Sequence, residues 1–239
     1  LTNLSMNSVS IVGSFLNASM DYDNDQLSII QLSGLSPNYP CTAYITNLVI
    51  SDIGISISLP IDGAYKIPQI IYLSAFMKSS SQLTLENTTF SNIVSTTSSY
   101  SLMNLACKII SLTRLKFNTV SLYPQSSESL ISVLTSTIFI INSSIIVGKQ
   151  TDILDLLTIV GGRYQTLAPS YLYIVSTRIT SLDETKSNEG YQISYSAYTA
   201  YLTINSSEIA SGIFYLKAEN QTVTNINGLT IHNQVFYIM

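Results

Sequence analysis

The chain has 239 residues, a formal charge of −4, 16 Tyr, no Trp and a mean hydropathy of +0.32, with only 10 % of residues charged against about 25 % in an average globular protein. The absence of a basic stripe argues against nucleic acid as a partner, and so uncharged a surface argues against an ordinary cytosolic enzyme. No apolar run approaches the roughly 18 residues of a membrane-spanning helix; the longest, such as Ile138 to Ile141, are strand-sized.

An eight-residue pattern recurs along the chain: apolar, any, apolar, any, small polar, any, any, large apolar. It occurs at LSMNSVSI (4–11), AYITNLVI (43–50), LTLENTTF (83–90), ISLTRLKF (110–117), IFIINSSI (138–145), LYIVSTRI (172–179) and LTINSSEI (202–209), and loosely at TNINGLTI (224–231). Self-similarity at a spacing of roughly 20 to 40 residues marks a repeat architecture. Within each octad the first and third positions are apolar around a mostly polar second, the period of a strand with one buried face.

The fifth position then interrupts the alternation with Asn47, Asn87, Asn142, Ser176, Ser206 or Gly228, residues that tolerate a bent or left-handed backbone; Arg114 breaks the rule. Each octad therefore reads as strand, corner and start of the next strand. A second apolar run accompanies most octads, as in IIYLSAF (70–76), SLISVL (129–134) and LDLLTI (154–159).

Ile, Val, Thr, Tyr and Phe dominate these segments, so helix is expected to be nearly absent. The pattern predicts an all-β fold, a single-stranded parallel β-helix solenoid of about eight irregular coils forming one domain over 1–239. An antiparallel sandwich or barrel is the alternative, but 10 Gly and 6 Pro supply too few tight hairpin turns for it. Unequal octad spacings imply loop excursions, at 19–26, 58–68, 163–170 and 181–190, and the longer spacings leave room for an extra turn. The chain starts at Leu1 without a signal-like region and reads as a mature or internal fragment of a longer one.

Cys41 and Cys107 are the only cysteines. In repeat register a rung separates them, about 10 Å at ~4.8 Å per strand, whereas a disulfide needs Cα atoms within about 7 Å. A mutual bridge is therefore not the favoured reading, and the redox compartment stays open.

The octads and their Asn corners resemble the right-handed parallel β-helix superfamily named after pectin lyase, and more closely its repeat-rich, non-catalytic surface proteins. That resemblance implies the fold over nearly the whole chain, not an activity. The family's hydrolases carry paired Asp motifs with a Gly-His-Gly; the sole histidine here, His232, sits in IHNQ and reads as packed or surface-exposed. The lyases carry an Asp cluster for calcium with an arginine as base, and Arg114, Arg163 and Arg178 have no acidic cluster beside them in sequence.

Asp21, Asp23 and Asp25 place alternate carboxylates as a weak Ca²⁺ candidate. Gln26 and Leu32 stand where an EF-hand loop needs Gly and Glu, so an exposed acidic loop is the better reading. Asp52, Asp62, Asp152 and Asp155 are the carboxylates available for glycosidic chemistry, and no spacing singles them out as catalytic. No catalytic residue, metal or cofactor is assigned.

Six Asn-x-Ser/Thr acceptors occur, Asn3, Asn17, Asn87, Asn142, Asn205 and Asn220, about as many as chance supplies in so Ser- and Thr-rich a chain. Asn205, one past an inward Ile204, should face solvent and is open to an N-linked glycan, as are Asn17 and Asn220. Asn87 and Asn142 hold the corner, where an inward ladder of stacked amides competes with a glycan. Solenoid ends expose unpaired backbone groups unless capped.

These features suggest a non-catalytic extracellular or cell-surface protein, glycosylated and self-associating into a layer or filament. A polysaccharide lyase or hydrolase is one alternative. The other is a glycan-binding adhesin using the Tyr-bearing stretches 163–173 and 189–201.

Overall fold

The computed structural model describes residues 3–8, 10–12, 15–18, 28–33, 42–57, 69–74, 81–95, 103–121, 129–147, 155–161, 169–181 and 191–238. The described residues are all-β: strands that pair in parallel and curl, with no helix among them. None therefore offers a helix long and apolar enough to cross a membrane.

The strands line up in three parallel ladders. The first runs through Asn3–Asn7, Thr42–Thr46, Gln82–Glu86, Ile109–Thr113, Thr137–Ile141 and Ser170–Val175 to residues 199–205 and 221–227. The second contains Val49–Ile57, Thr89–Ser95, Lys116–Ser121, Ser144–Val147 and Arg178–Ser181. The third contains Ser28–Ser33, Gln69–Ser74, Met103–Ala106, Ser129–Thr135 and Asp155–Gly161, and continues through 191–197 and 212–216. The chain visits first, second and third ladder in turn, then returns to the first one rung further on.

Octad register and strand register coincide. Leu4, Ala43, Leu83, Ile110, Ile138, Leu172, Leu202 and Thr224, the first residues of the eight octads, pair one after another across the first ladder. Each spacing is thus one rung, the long ones included, and the extra residues are excursions rather than an extra turn. The excursions 19–26 and 58–68 lie outside the described residues, and 163–170 and 181–190 almost wholly so.

Burial follows the octad. In LTLENTTF, Leu83, Leu85 and Phe90 are buried, Thr84 and Glu86 half-exposed and Asn87 exposed. Ile45, Leu112, Ile140, Ile174 and Ile204 fill the third position with essentially no exposure. Phe90 and Phe117 stack at 4.7 Å in the eighth. The third ladder adds Met103, Leu105, Ile131, Val133, Leu157, Ile159, Ile193 and Tyr195 to the same core. Burial pushes the Tyr195 phenol well above the ordinary tyrosine range.

Gly161 sits where the third ladder leads back to the first. A Cβ there would lie 2.2 Å from Ser170 Oγ and 2.8 Å from Ala197 Cβ, so only glycine lets these segments pass. Strands Thr42–Thr46 and Ile109–Thr113 flank Gln82–Glu86 on opposite sides, which puts the expected rung between the two cysteine neighbourhoods. Cys107 is buried, and Cys41 lies outside the described residues.

Candidate functional site: a left-handed corner and the uncharged face beside it

The fifth octad position is left-handed in all eight repeats: Ser8, Asn47, Asn87, Arg114, Asn142, Ser176, Ser206 and Gly228 have φ between 48° and 63°. Arg114 departs from the pattern in chemistry but not in backbone. The corner's main-chain hydrogen bonds are regular. In repeats 1 to 7 the fifth-position N–H donates forward to the next repeat, as Asn87 to Thr113 at 2.9 Å, and in repeats 3 to 8 the seventh-position N–H donates back, as Lys116 to Thr88 at 2.8 Å. The sixth-position N–H belongs to neither set, and at Leu115, Ser143 and Thr177 it is buried.

Two side-chain ladders run along this corner. Outside, Asn47 Nδ2 donates to Asn7 Oδ1 at 2.9 Å and Asn87 Nδ2 to Asn47 Oδ1 at 2.6 Å. The amide ladder expected at Asn87 therefore exists, but it stands at an exposed corner rather than inside. Asn142 is exposed as well. A left-handed residue between two inward positions turns its own side chain away from the core, which is why the inward placement fails.

Inside, the sixth position holds buried Leu48, Thr88, Leu115, Ser143, Thr177 and Ser207. Hydroxyls there take the leftover donors of the preceding repeat: Leu115 N–H to Ser143 Oγ (3.1 Å), Ser143 N–H to Thr177 Oγ1 (3.4 Å) and Thr177 N–H to Ser207 Oγ (3.2 Å). The hydroxyls of Ser143, Thr177 and Ser207 in turn donate to a carbonyl, as Thr177 to Val175 at 3.0 Å. Sequence reasoning left this position open, although its restriction to Leu, Val or a small hydroxyl residue is a readable signal.

Two ion pairs flank the corner. Glu86 accepts hydrogen bonds from Arg114 and from the Tyr44 hydroxyl, and the carboxylate raises the Tyr44 phenol pKa. Arg178 pairs with Glu208 one rung on, at 3.1 Å. Asp52 has φ 57° and accepts a 2.7 Å bond from Asn92, φ 50°, forming a second left-handed column that the sequence did not suggest.

The stretch Arg114-Leu115-Lys116 crosses the corner of the fourth repeat. There Arg114 is held on Glu86, Leu115 is buried and Lys116 is exposed on the second ladder. Among the described residues no three His, Cys, Asp or Glu side chains converge as metal ligands. Asp21, Asp23, Asp25, Asp62, Asp152 and Arg163 lie outside the described residues, as do the side chains of Asp155 and His232.

The outward positions of the first ladder, from Ser5 to Asn227, carry a single charged residue, Glu86. Its middle is aromatic. Phe139 stacks on Tyr173 at 4.8 Å, Tyr171 on Tyr201 at 4.8 Å, and Tyr171 lies parallel to Tyr173 at 6.4 Å. All four rings are half-exposed. These tyrosines come from the two Tyr-bearing stretches, whose relevant parts are strands, Ser170–Val175 and Tyr191–Asn205, rather than loops.

The sequons differ in what their amides do. Asn205 is exposed, and its Oδ1 accepts from Ser206 at 3.2 Å, a bond that does not involve the nitrogen to which a sugar attaches. Asn87 gives that nitrogen to Asn47. Asn220 is exposed, and its nitrogen donates to Thr199 at 3.2 Å. Asn3 and Asn17 lie in strands, with side chains outside the described set. Comparison with protein-family models, curated proteins and solved structures found no match, so the pectin-lyase-like resemblance rests on the octads.

Proposed function

We propose that the three ladders are the walls of one single-stranded parallel β-helix of about eight coils, of the pectin-lyase-like type, and that the protein is a non-catalytic structural component of an extracellular layer or filament. N-linked sugars supply the hydration that charges do not, and copies associate through the faces or ends of the solenoid. The observation that carries this reading is the outer face of the first ladder, eight rungs long and charged only at Glu86, which Arg114 neutralises. Such a surface lacks the charge that normally keeps a β-rich protein apart from its own copies.

Sedimentation of the secreted protein should give concentration-dependent assemblies, with sugars on at least one sequon by mass spectrometry. A monodisperse monomer with bare asparagines would sink the proposal. The second reading, a glycan-binding surface protein, is favoured by the clustering of Tyr171, Tyr173 and Tyr201 on one face. Saccharide-dependent quenching of tyrosine fluorescence in a persistently monomeric protein would support it instead.

A further inference from the structure

The four rings on the first ladder stand in two adjoining columns, one rung out of step. Tyr171 and Tyr201 form one column, and Phe139 and Tyr173 the other. The second column therefore stops one rung early. Tyr173 has Phe139 stacked on one side, while on its other side the next residues are Thr203 and then Asn225.

The register places a recess over Thr203, one side chain deep. Tyr173 bounds it below and Asn225 above; Tyr201 and Asn205, two residues to either side of Thr203, share its outward face. Thr203 and the two tyrosines are half-exposed, and Asn205 and Asn225 are exposed. One side of the recess is thus an apolar ring and the others are hydrogen-bonding groups. A pyranose has this duality, with a C–H face for the ring and hydroxyl and acetamido groups for the rest.

Asn205 supplies the tether, since it opens the sequon Asn205-Ser206-Ser207. One rung and two residues separate it from Tyr173, about 8 Å between Cα atoms, a gap that a first sugar residue spans. We propose that Asn205 carries an N-linked glycan whose first N-acetylhexosamine lies over Thr203 against the ring of Tyr173. This rests on the reading of the chain as a secreted glycoprotein, and adds which sequon the sugar uses and what it packs on. In the transfer, Asn205 Nδ2 bonds to C1 of the sugar, the bond from C1 to a diphospholipid carrier breaks, and the amide gives up one proton. The attached sugar covers an aromatic patch that the low charge of the surface otherwise leaves open to association.

The test uses the full chain secreted from a glycosylating eukaryotic host, with glycans trimmed to a single N-acetylglucosamine. Mass spectrometry should find Asn205 occupied. Thermal melts should place the sugar-bearing protein about 2–4 °C above Asn205→Gln, the size of shift one packed ring contact gives in a chain of this length. That increment should vanish in a Tyr173→Thr background and persist in Tyr173→Phe. An increment that survives Tyr173→Thr, or is lost in Tyr173→Phe, overturns the packing inference and leaves the glycoprotein reading standing. A bare Asn205 beside other occupied sequons overturns the inference alone, whereas six bare sequons overturn the reading with it.

Discussion

The corner is one backbone conformation supported in two ways. In repeats 1 to 3 the support is outside, where Asn7, Asn47 and Asn87 link their amides across the exposed turn. In repeats 5 to 7 it is inside, where Ser143, Thr177 and Ser207 satisfy the sixth-position N–H groups. Repeat 4 joins the halves: Arg114 ends the amide ladder, and Leu115 is the first residue whose N–H meets a hydroxyl. The difference teaches that one left-handed turn can be braced by amides bonding one another outside or by hydroxyls inside, and that only the inner hydroxyls take up sixth-position N–H groups. It also isolates Thr88, a hydroxyl on the inner row of the outer-supported half. Its Oγ1 is buried without a hydrogen-bond partner among the described residues.

One substitution at two equivalent positions breaks this comparison open. Thr177→Val keeps shape but strips Ser143 N–H of its buried acceptor, and should cost about 1–3 kcal/mol, read as a lower urea midpoint at unchanged m. Thr88→Val removes a polar atom that gains nothing from burial, and should stabilise by about 1 kcal/mol in the same experiment. Equal effects at the two sites would mean that the inner hydroxyls do not divide the corner into halves. The smallest expected effect is at the junction. Arg114→Asn eases the left-handed backbone and extends the amide ladder toward Asn87, at the loss of an exposed ion pair. A gain of a few tenths to about 1 kcal/mol is expected, and a loss would show that the Glu86 pair outweighs the ladder.

Much of this was legible because the octad is a strand alternation with one bend. Positions 1 and 3 as core, position 5 as a left-handed corner and position 8 as core can be read directly in LTLENTTF. Position 6 could not be read from alternation, because the left-handed residue resets its parity: the inward set runs 1, 3, then 6 and 8. The same reset explains the amides. Asn87 looks like an inward ladder because the alternation of Leu83 and Leu85 carries on to it, yet the residue that makes the bend faces out. The column of Asp52 and Asn92 stayed hidden because it lies beyond the octad. The aromatic face was hidden for another reason: Tyr171 and Tyr201 are 30 residues apart, and only the pairing of their strands stacks them.

The constancy of the register has a consequence for how such a chain can vary. The step from Ala43 to Leu83 takes 40 residues and that from Leu202 to Thr224 takes 22, yet each advances the wall by one rung. In chain-entropy terms, nearly doubling the closed segment costs only about 0.6 kcal/mol. The excursions can therefore lengthen, shorten or change composition one rung at a time at little thermodynamic cost, while the paired strands hold their alignment. Variation confined to the excursions would alter what the surface presents without altering the scaffold that presents it.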